Sequence, residues 1–252
     1  MQPIAVLARF TLLEALRSGL PAIALACIAT SVGLATFLAQ VALTETRELQ
    51  AAAAAALLRA SAAFLVAIHV VSSVAREASD RGLEHALTLP ISRATYYSGK
   101  LTGFVCCAML LATAFAAPLL LWSTPAALAS WWVSLAAEAA LVAAMALFFS
   151  MALPGTVSAI AATAGLYLLG RSISAIEAIA AGPLVDSGES GLSGIVAALA
   201  YLVPRLDAAT RTEWLLYGLP APIDLLAALA GSAVYCALLC TAGLFDFSRR
   251  DL

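Results

Sequence analysis

Residues 76–100 read REASDRGLEHALTLPISRATYYSGK, the only sizeable hydrophilic block carrying both signs of charge between two long apolar runs. It sets Arg76, Arg81, Arg93 and Lys100 against Glu77, Asp80 and Glu84. On each side lies a run of the roughly 20 apolar residues that one membrane-crossing helix needs. That contrast decides the fold class: an all-α membrane protein whose apolar spans hold this block at one face. A block kept on one side of a membrane in this way is available to something in the water there.

The totals agree. The chain has 252 residues, is 63% hydrophobic and is only 11% charged, whereas soluble domains carry roughly 25% charged residues. A net charge of −2 gives no reason to expect nucleic acid or an acidic ligand. Cys27, Cys106, Cys107, Cys236 and Cys240 all fall in apolar runs, so they suggest neither a disulfide framework nor a zinc ribbon. Cys236 and Cys240 share a helical face, but a soft-metal site needs a further ligand that the sequence does not place nearby.

Working outward from the block, residues 1–18 have Ile4, Leu7, Phe10, Leu13 and Leu16 near helical spacing, with Arg9, Glu14 and Arg17 elsewhere on the wheel. This suits a helix lying along the membrane surface, or a plain lead-in to the first span. The apolar run 19–43 exceeds the roughly 7–15 residues of a signal core and lacks a following A-x-A site, so it reads as a retained span. Six spans are expected, at about 20–43, 52–75, 101–122, 131–153, 156–181 and 223–245, in a single domain. Arg59 is placed near the outer end of the second span, where it can snorkel to water. Between Lys100 and Arg171 there is no Lys or Arg, and Glu138 is the only charge. Residues 182–219 return to mixed polar sequence rich in Gly and Pro.

Six spans put both termini on one side. If that side is the cytoplasm, its segments hold Arg9, Arg17, Arg76, Arg81, Arg93, Lys100, Arg249 and Arg250, against Arg47, Arg59, Arg205 and Arg211 outside. Eight against four, with Arg171 unassigned, favours cytoplasmic termini. The 76–100 block then faces the cytoplasm and 182–219 faces outward.

Within the block, Ser79 or Asp80 can cap a short helix whose apolar stripe is Leu83, Ala86 and Leu87 and which Pro90 ends. Ile91-Ser92-Arg93 leads into a second amphipathic turn with Tyr96 and Tyr97 near the membrane surface, closed by Gly99-Lys100. A short surface helix fixed at both ends can pass force from a soluble partner to the spans it joins. On residues alone the block reads as readily as an ordinary charged loop.

The run Arg76-Glu77, Gly82-Leu83-Glu84, Leu87-x-x-Pro90-Ile91-Ser92-Arg93 and Tyr97-x-Gly99-Lys100 resembles the cytoplasmic segment between spans two and three of ABC-2 type transporter permeases. The opening ARFTLLEALR, the Tyr201–Asp207 stretch and the terminal Phe247–Leu252 also resemble that family, nearest its nitrous-oxide-reductase maturation subgroup. The resemblance implies a multi-pass protein of the bacterial inner membrane, acting as a homodimer or heterodimer over two ATP-binding subunits. It also implies that 79–90 is a coupling helix, with Asp80, Arg81, Gly82, Leu83, Glu84, Leu87, Pro90, Arg93, Gly99 and Lys100 as the ATPase-coupling residues. Short outer helices between spans five and six are implied as well, and the apolar stretches 172–181 and 192–203 suit them. The function implied is ATP-driven export through a permease subunit. ATP and Mg would reside on the partner, and no cofactor is expected in this chain.

No nucleotide-binding, protease or hydrolase motif contradicts that picture. Ser98-Gly99-Lys100-Leu101 is not a phosphate-binding loop, because position 94 is Ala and Leu follows the Lys. The chain is therefore not expected to be an enzyme. His69 and His85 are far apart and do not suggest a metal pair. Glu138, Arg171 and Glu177 are costly in lipid and are candidates for a translocation path, although Arg171 and Glu177 also suit an outer interface. Two further readings remain open. One is a haem or cytochrome c maturation permease. The other is a membrane scaffold that relays ATPase motion to a periplasmic partner through 182–219 and moves no substrate.

Overall fold

The computed structural model describes residues 3–41, 46–80, 92–180, 194, 196, 198–200, 203–209, 213–216 and 221–249. Its long elements are α1 (Pro3–Arg17), α2 (Leu20–Val41), α3 (Thr46–Ser79), α4 (Arg93–Ala116), α5 (Pro125–Ala152) and α6 (Thr156–Ala180). One-turn helices α7 (Leu206–Ala209) and α8 (Glu213–Leu216) precede the last long helix, α9 (Pro222–Arg249). Helices α2, α3, α4, α5, α6 and α9 are long and apolar enough to cross a membrane. All regular secondary structure among the described residues is helical, as the apolar pattern predicts. We call the end that holds Asp80 the inner end and the opposite one the outer end.

Local sequence sets the helix limits, and several differ from expectation. Helix α3 has 34 residues, about 51 Å at 1.5 Å per residue, so it starts six residues before the apolar run and continues through Ser79. The Ser79 hydroxyl donates to the Arg76 carbonyl at 2.8 Å, closing the last turn of α3, and the short helix expected after it lies outside the described residues. Helix α4 likewise begins at Arg93, capped by the Ser92 hydroxyl, which accepts from the Thr95 amide. The amphipathic turn expected at 91–100 is thus the first turns of the third span. Its C-terminal end tightens into a 3₁₀ turn at Ala117–Leu121, where Pro118 cannot donate a backbone hydrogen bond. Thr124 caps α5 and Pro125 opens it. The outer start of the fourth span therefore lies six residues before Trp131. Gly155 adopts φ +89° between α5 and α6, a conformation that admits glycine most easily. Residues 172–180 form the last turns of α6 rather than a separate outer helix.

The core is a layer of small side chains. Helix α5 is apolar all round and packs against α3, α4, α6 and α9, which is how a helix with no polar stripe becomes the centre of a bundle. Ala54, Ala55, Ala62 and Ala63 of α3 and Ala139, Ala143 and Ala146 of α5 are all buried. Small residues let helix backbones approach closely, the main source of cohesion where lipid removes the hydrophobic drive. Helices α2 and α9 lie at the edges, with Ile23, Phe37, Ile223 and Leu238 exposed.

Helix α1 docks on α4 in the same way. A Cβ added to Gly99 would lie 2.8 Å from the Leu7 Cβ, and one at Gly103 would lie 2.6 Å from the Thr11 Cβ and 3.0 Å from the Ala8 carbonyl oxygen. The pair Gly99-x-x-x-Gly103 is thus the slot into which α1 fits. Phe10, Leu13 and Leu16 remain exposed on the other side of α1, as an interfacial helix requires.

Candidate functional site

Two groups of polar side chains stand out from the apolar bundle. The first clasps the inner end. Glu14 of α1 accepts from the Ser73 hydroxyl at 2.9 Å and from Arg76 at 3.2 Å, both on α3. Lys100 of α4 pairs with Glu77 of α3 at 2.6 Å and is nearly buried. Arg93, at the first residue of α4, donates to the Phe247 carbonyl of α9 at 3.1 Å, and Tyr96 stacks on the Phe247 ring. Tyr97 is fully buried and packs against Gly243, where no larger residue would fit. Four helices are therefore tied together where the 76–100 block leaves and re-enters the bundle. Leu7, Thr11, Glu14, Arg76, Asp80 and Lys100 are among the residues lining an open cavity of about 490 Å³ there.

Of the residues assigned to coupling, Asp80, Arg93, Gly99 and Lys100 lie in this clasp, three of them with roles in helix packing. Arg81, Gly82, Leu83, Glu84, Leu87 and Pro90 lie outside the described residues. Tyr96 and Tyr97, expected near the membrane surface, lie in the first turns of α4 at the inner end, with their side chains buried in the α4–α9 contact.

The second group lies midway along α5. Glu138 and Arg59 are each 1% exposed, and Arg59 Nη1 donates to Glu138 Oε2 at 2.6 Å. Arg59 Nη2 donates to the Ser134 hydroxyl at 2.9 Å, and the guanidinium lies 5.2 Å from the Trp131 ring centroid. The other carboxylate oxygen, Oε1, accepts from the Tyr167 hydroxyl at 2.8 Å and from Arg171 at 3.3 Å. One carboxylate is thereby shared between two cations contributed by α3 and α6. Every partner suits its place: the planar guanidinium meets a carboxylate on one edge and an aromatic face below.

Arg59 corrects the sequence expectation. It does not snorkel, because α3 starts at Thr46 and places Arg59 thirteen residues (59 − 46) from the outer end, roughly 20 Å along the helix. Glu138 is also thirteen residues (138 − 125) into α5, so the two meet at one depth. Removing Arg59 from the outer count leaves eight basic residues against three. Glu177 does not join Glu138 and Arg171. It pairs with Arg205 at 3.0 Å, beside the outer end of α6. The three residues proposed for one path therefore belong to two places.

Other candidates carry less. His69 lies edge-to-face with Phe104 at 6.1 Å between α3 and α4. Among the described residues no three His, Cys, Asp or Glu side chains converge to hold a metal. Near the outer end a cavity of about 420 Å³ opens between α9 and residues 203–206, with Arg205, Asp224, Ser232 and Tyr235 in its wall. No protein-family model matches the chain, and no curated protein is significantly similar to it.

Proposed function

We propose that this chain is the membrane-spanning permease subunit of an ATP-driven exporter of the ABC-2 type, resident in a bacterial inner membrane with both termini in the cytoplasm. The residue pattern of 76–100 supports the family. The observation that carries the mechanism is the inner-end clasp: both ends of the 81–91 segment attach to helices that are bonded to one another. Lys100–Glu77 joins α4 to α3, Arg93–Phe247 joins α4 to α9, and Glu14 joins α1 to α3. Force applied by a soluble partner to 81–91 is then delivered to several spans together. In this reading ATP and Mg belong to two copies of a separate ATP-binding subunit. A second permease copy completes the complex, and spans rearrange to open a path for the cargo.

One observation favours the alternative in which the chain relays motion to a periplasmic partner without transport. Arg59 and Glu138 are sealed against each other instead of facing a water-filled passage. Transport of cargo in vesicles would decide against the relay.

The test is gentle extraction of the full chain from its native membrane and identification of what accompanies it. An ATP-binding subunit is expected to copurify, and Glu84→Lys is expected to abolish that association while the chain stays inserted. Unchanged copurification and ATPase activity in Glu84→Lys would overturn the coupling assignment.

A further inference from the structure

Among the described residues the charges of the mid-helix group do not balance. Glu138 offers one negative charge to two guanidinium groups. Arg59 has the better share: it is 1% exposed and bonded at 2.6 Å, whereas Arg171 is 33% exposed and bonded at 3.3 Å. A guanidinium has five N–H donors, and the contact to Glu138 is the single hydrogen bond of Arg171 among the described residues. The next acid along α6, Glu177, is occupied by Arg205. Arg171 lies nine residues (180 − 171) from Ala180, the last residue of α6, roughly 13 Å along a helix long and apolar enough to cross a membrane. Among the described residues no second acid meets Arg171, and a cation within a membrane-spanning helix is costly unless an anion meets it.

We propose that Arg171 is the recognition group of an anion site in the outer half of the membrane domain, and that its ligand carries a phosphate or carboxylate head on an apolar body. Arg59 and Glu138 position it: their pair holds the carboxylate that orients one edge of the Arg171 guanidinium and leaves the other edge to bind. The cavity beside α9 is not this site, because Arg171 is not in its wall. This inference rests on the transport reading and names the class of cargo that reading leaves open.

The test uses the full chain in nanodiscs of neutral phosphatidylcholine. Lysophosphatidic acid is the anionic probe, and monoacylglycerol of the same chain length is the neutral one. Wild type is expected to bind the anionic probe about ten-fold tighter or more, the scale of one charged hydrogen bond. Arg171→Gln should lose that preference, Arg171→Lys should keep most of it, and Arg205→Gln should leave it unchanged. Equal affinity of wild type for the two probes would overturn the proposal without any variant. So would a preference that survives Arg171→Gln, or one that Arg205→Gln removes equally. Displacement of the anionic probe by excess inorganic phosphate would identify a free anion as sufficient, and no displacement would identify an amphiphile. A chain that still copurifies with an ATP-binding subunit but shows no anion preference keeps the transport reading and loses this one.

Discussion

Glu138 is the residue on which the interior electrostatics turn, since its removal leaves Arg59 buried without a counter-charge. Breaking a buried pair by deleting one partner costs about 3–5 kcal/mol, whereas replacing both by apolar residues of similar volume is often near neutral. Glu138→Ala is therefore expected to lower the unfolding free energy in nanodiscs by about that amount, and Arg59→Met with Glu138→Leu to recover most of it. A single-variant loss below about 1 kcal/mol would mean that the pair is already solvated, the range typical of exposed pairs. Part of this was legible in the sequence. With spans starting at Ala52 and Trp131, Arg59 and Glu138 each fall seven residues in, so their equal depth is readable from the chain alone. Their burial is not, because the mostly polar stretch Thr46–Gln50 gave no sign that α3 begins outside its apolar run. Arg171 and Glu177 were recognisable as intramembrane charges, but which of them faces Glu138 depends on the rotation of α6, which an apolar helix with no polar stripe does not encode.

At the scale of elements, small residues decide more than charges do. Helix α1 is held to α4 by the glycine slot and to α3 by Glu14, and the two contacts differ greatly in strength. The Glu14–Arg76 pair is 39% and 54% exposed, so it contributes about 0.2–1 kcal/mol at most. A side chain at Gly103, in contrast, would meet the Thr11 Cβ at 2.6 Å, closer than real Cβ atoms come, and the α1 backbone at 3.0 Å, tighter than nearly all such contacts. Gly103→Val is expected to dislodge α1, read as a longer α1–α4 distance by spin labels at Arg9 and Thr102. Glu14→Ala is expected to leave that distance nearly unchanged. Equal effects would show that the slot is not what holds α1. The sequence announced α1 as amphipathic, and its exposed Phe10 and Leu16 fit that. It did not announce the docking: Gly99-Lys100 reads as the end of a loop until α4 is seen to begin at Arg93.

Over the whole molecule, α3 runs unbroken from Thr46 to Ser79, so its two ends must lie on opposite sides of any bilayer it crosses. Cysteines placed at Glu48 and Asp80, both exposed, test the orientation in a background cleared of the five native thiols. Asp80→Cys is expected to react only from the cytoplasm and Glu48→Cys only from outside; the reverse pattern would invert the topology. The number of spans and their order were legible because apolar length is a one-dimensional property of the chain, and the edge positions of α2 and α9 were not. The Arg59–Glu138 bond also has a consequence in time. The partners are 79 residues apart in sequence, and at a synthesis rate of about 5–20 residues per second α5 follows α3 by roughly 4–16 s. Throughout that interval α3 must enter the bilayer with an unmatched arginine, at an insertion cost of about 2.5–3.5 kcal/mol. A chain released before α5 is made therefore keeps Arg59 in its second span with no Glu138 to meet it.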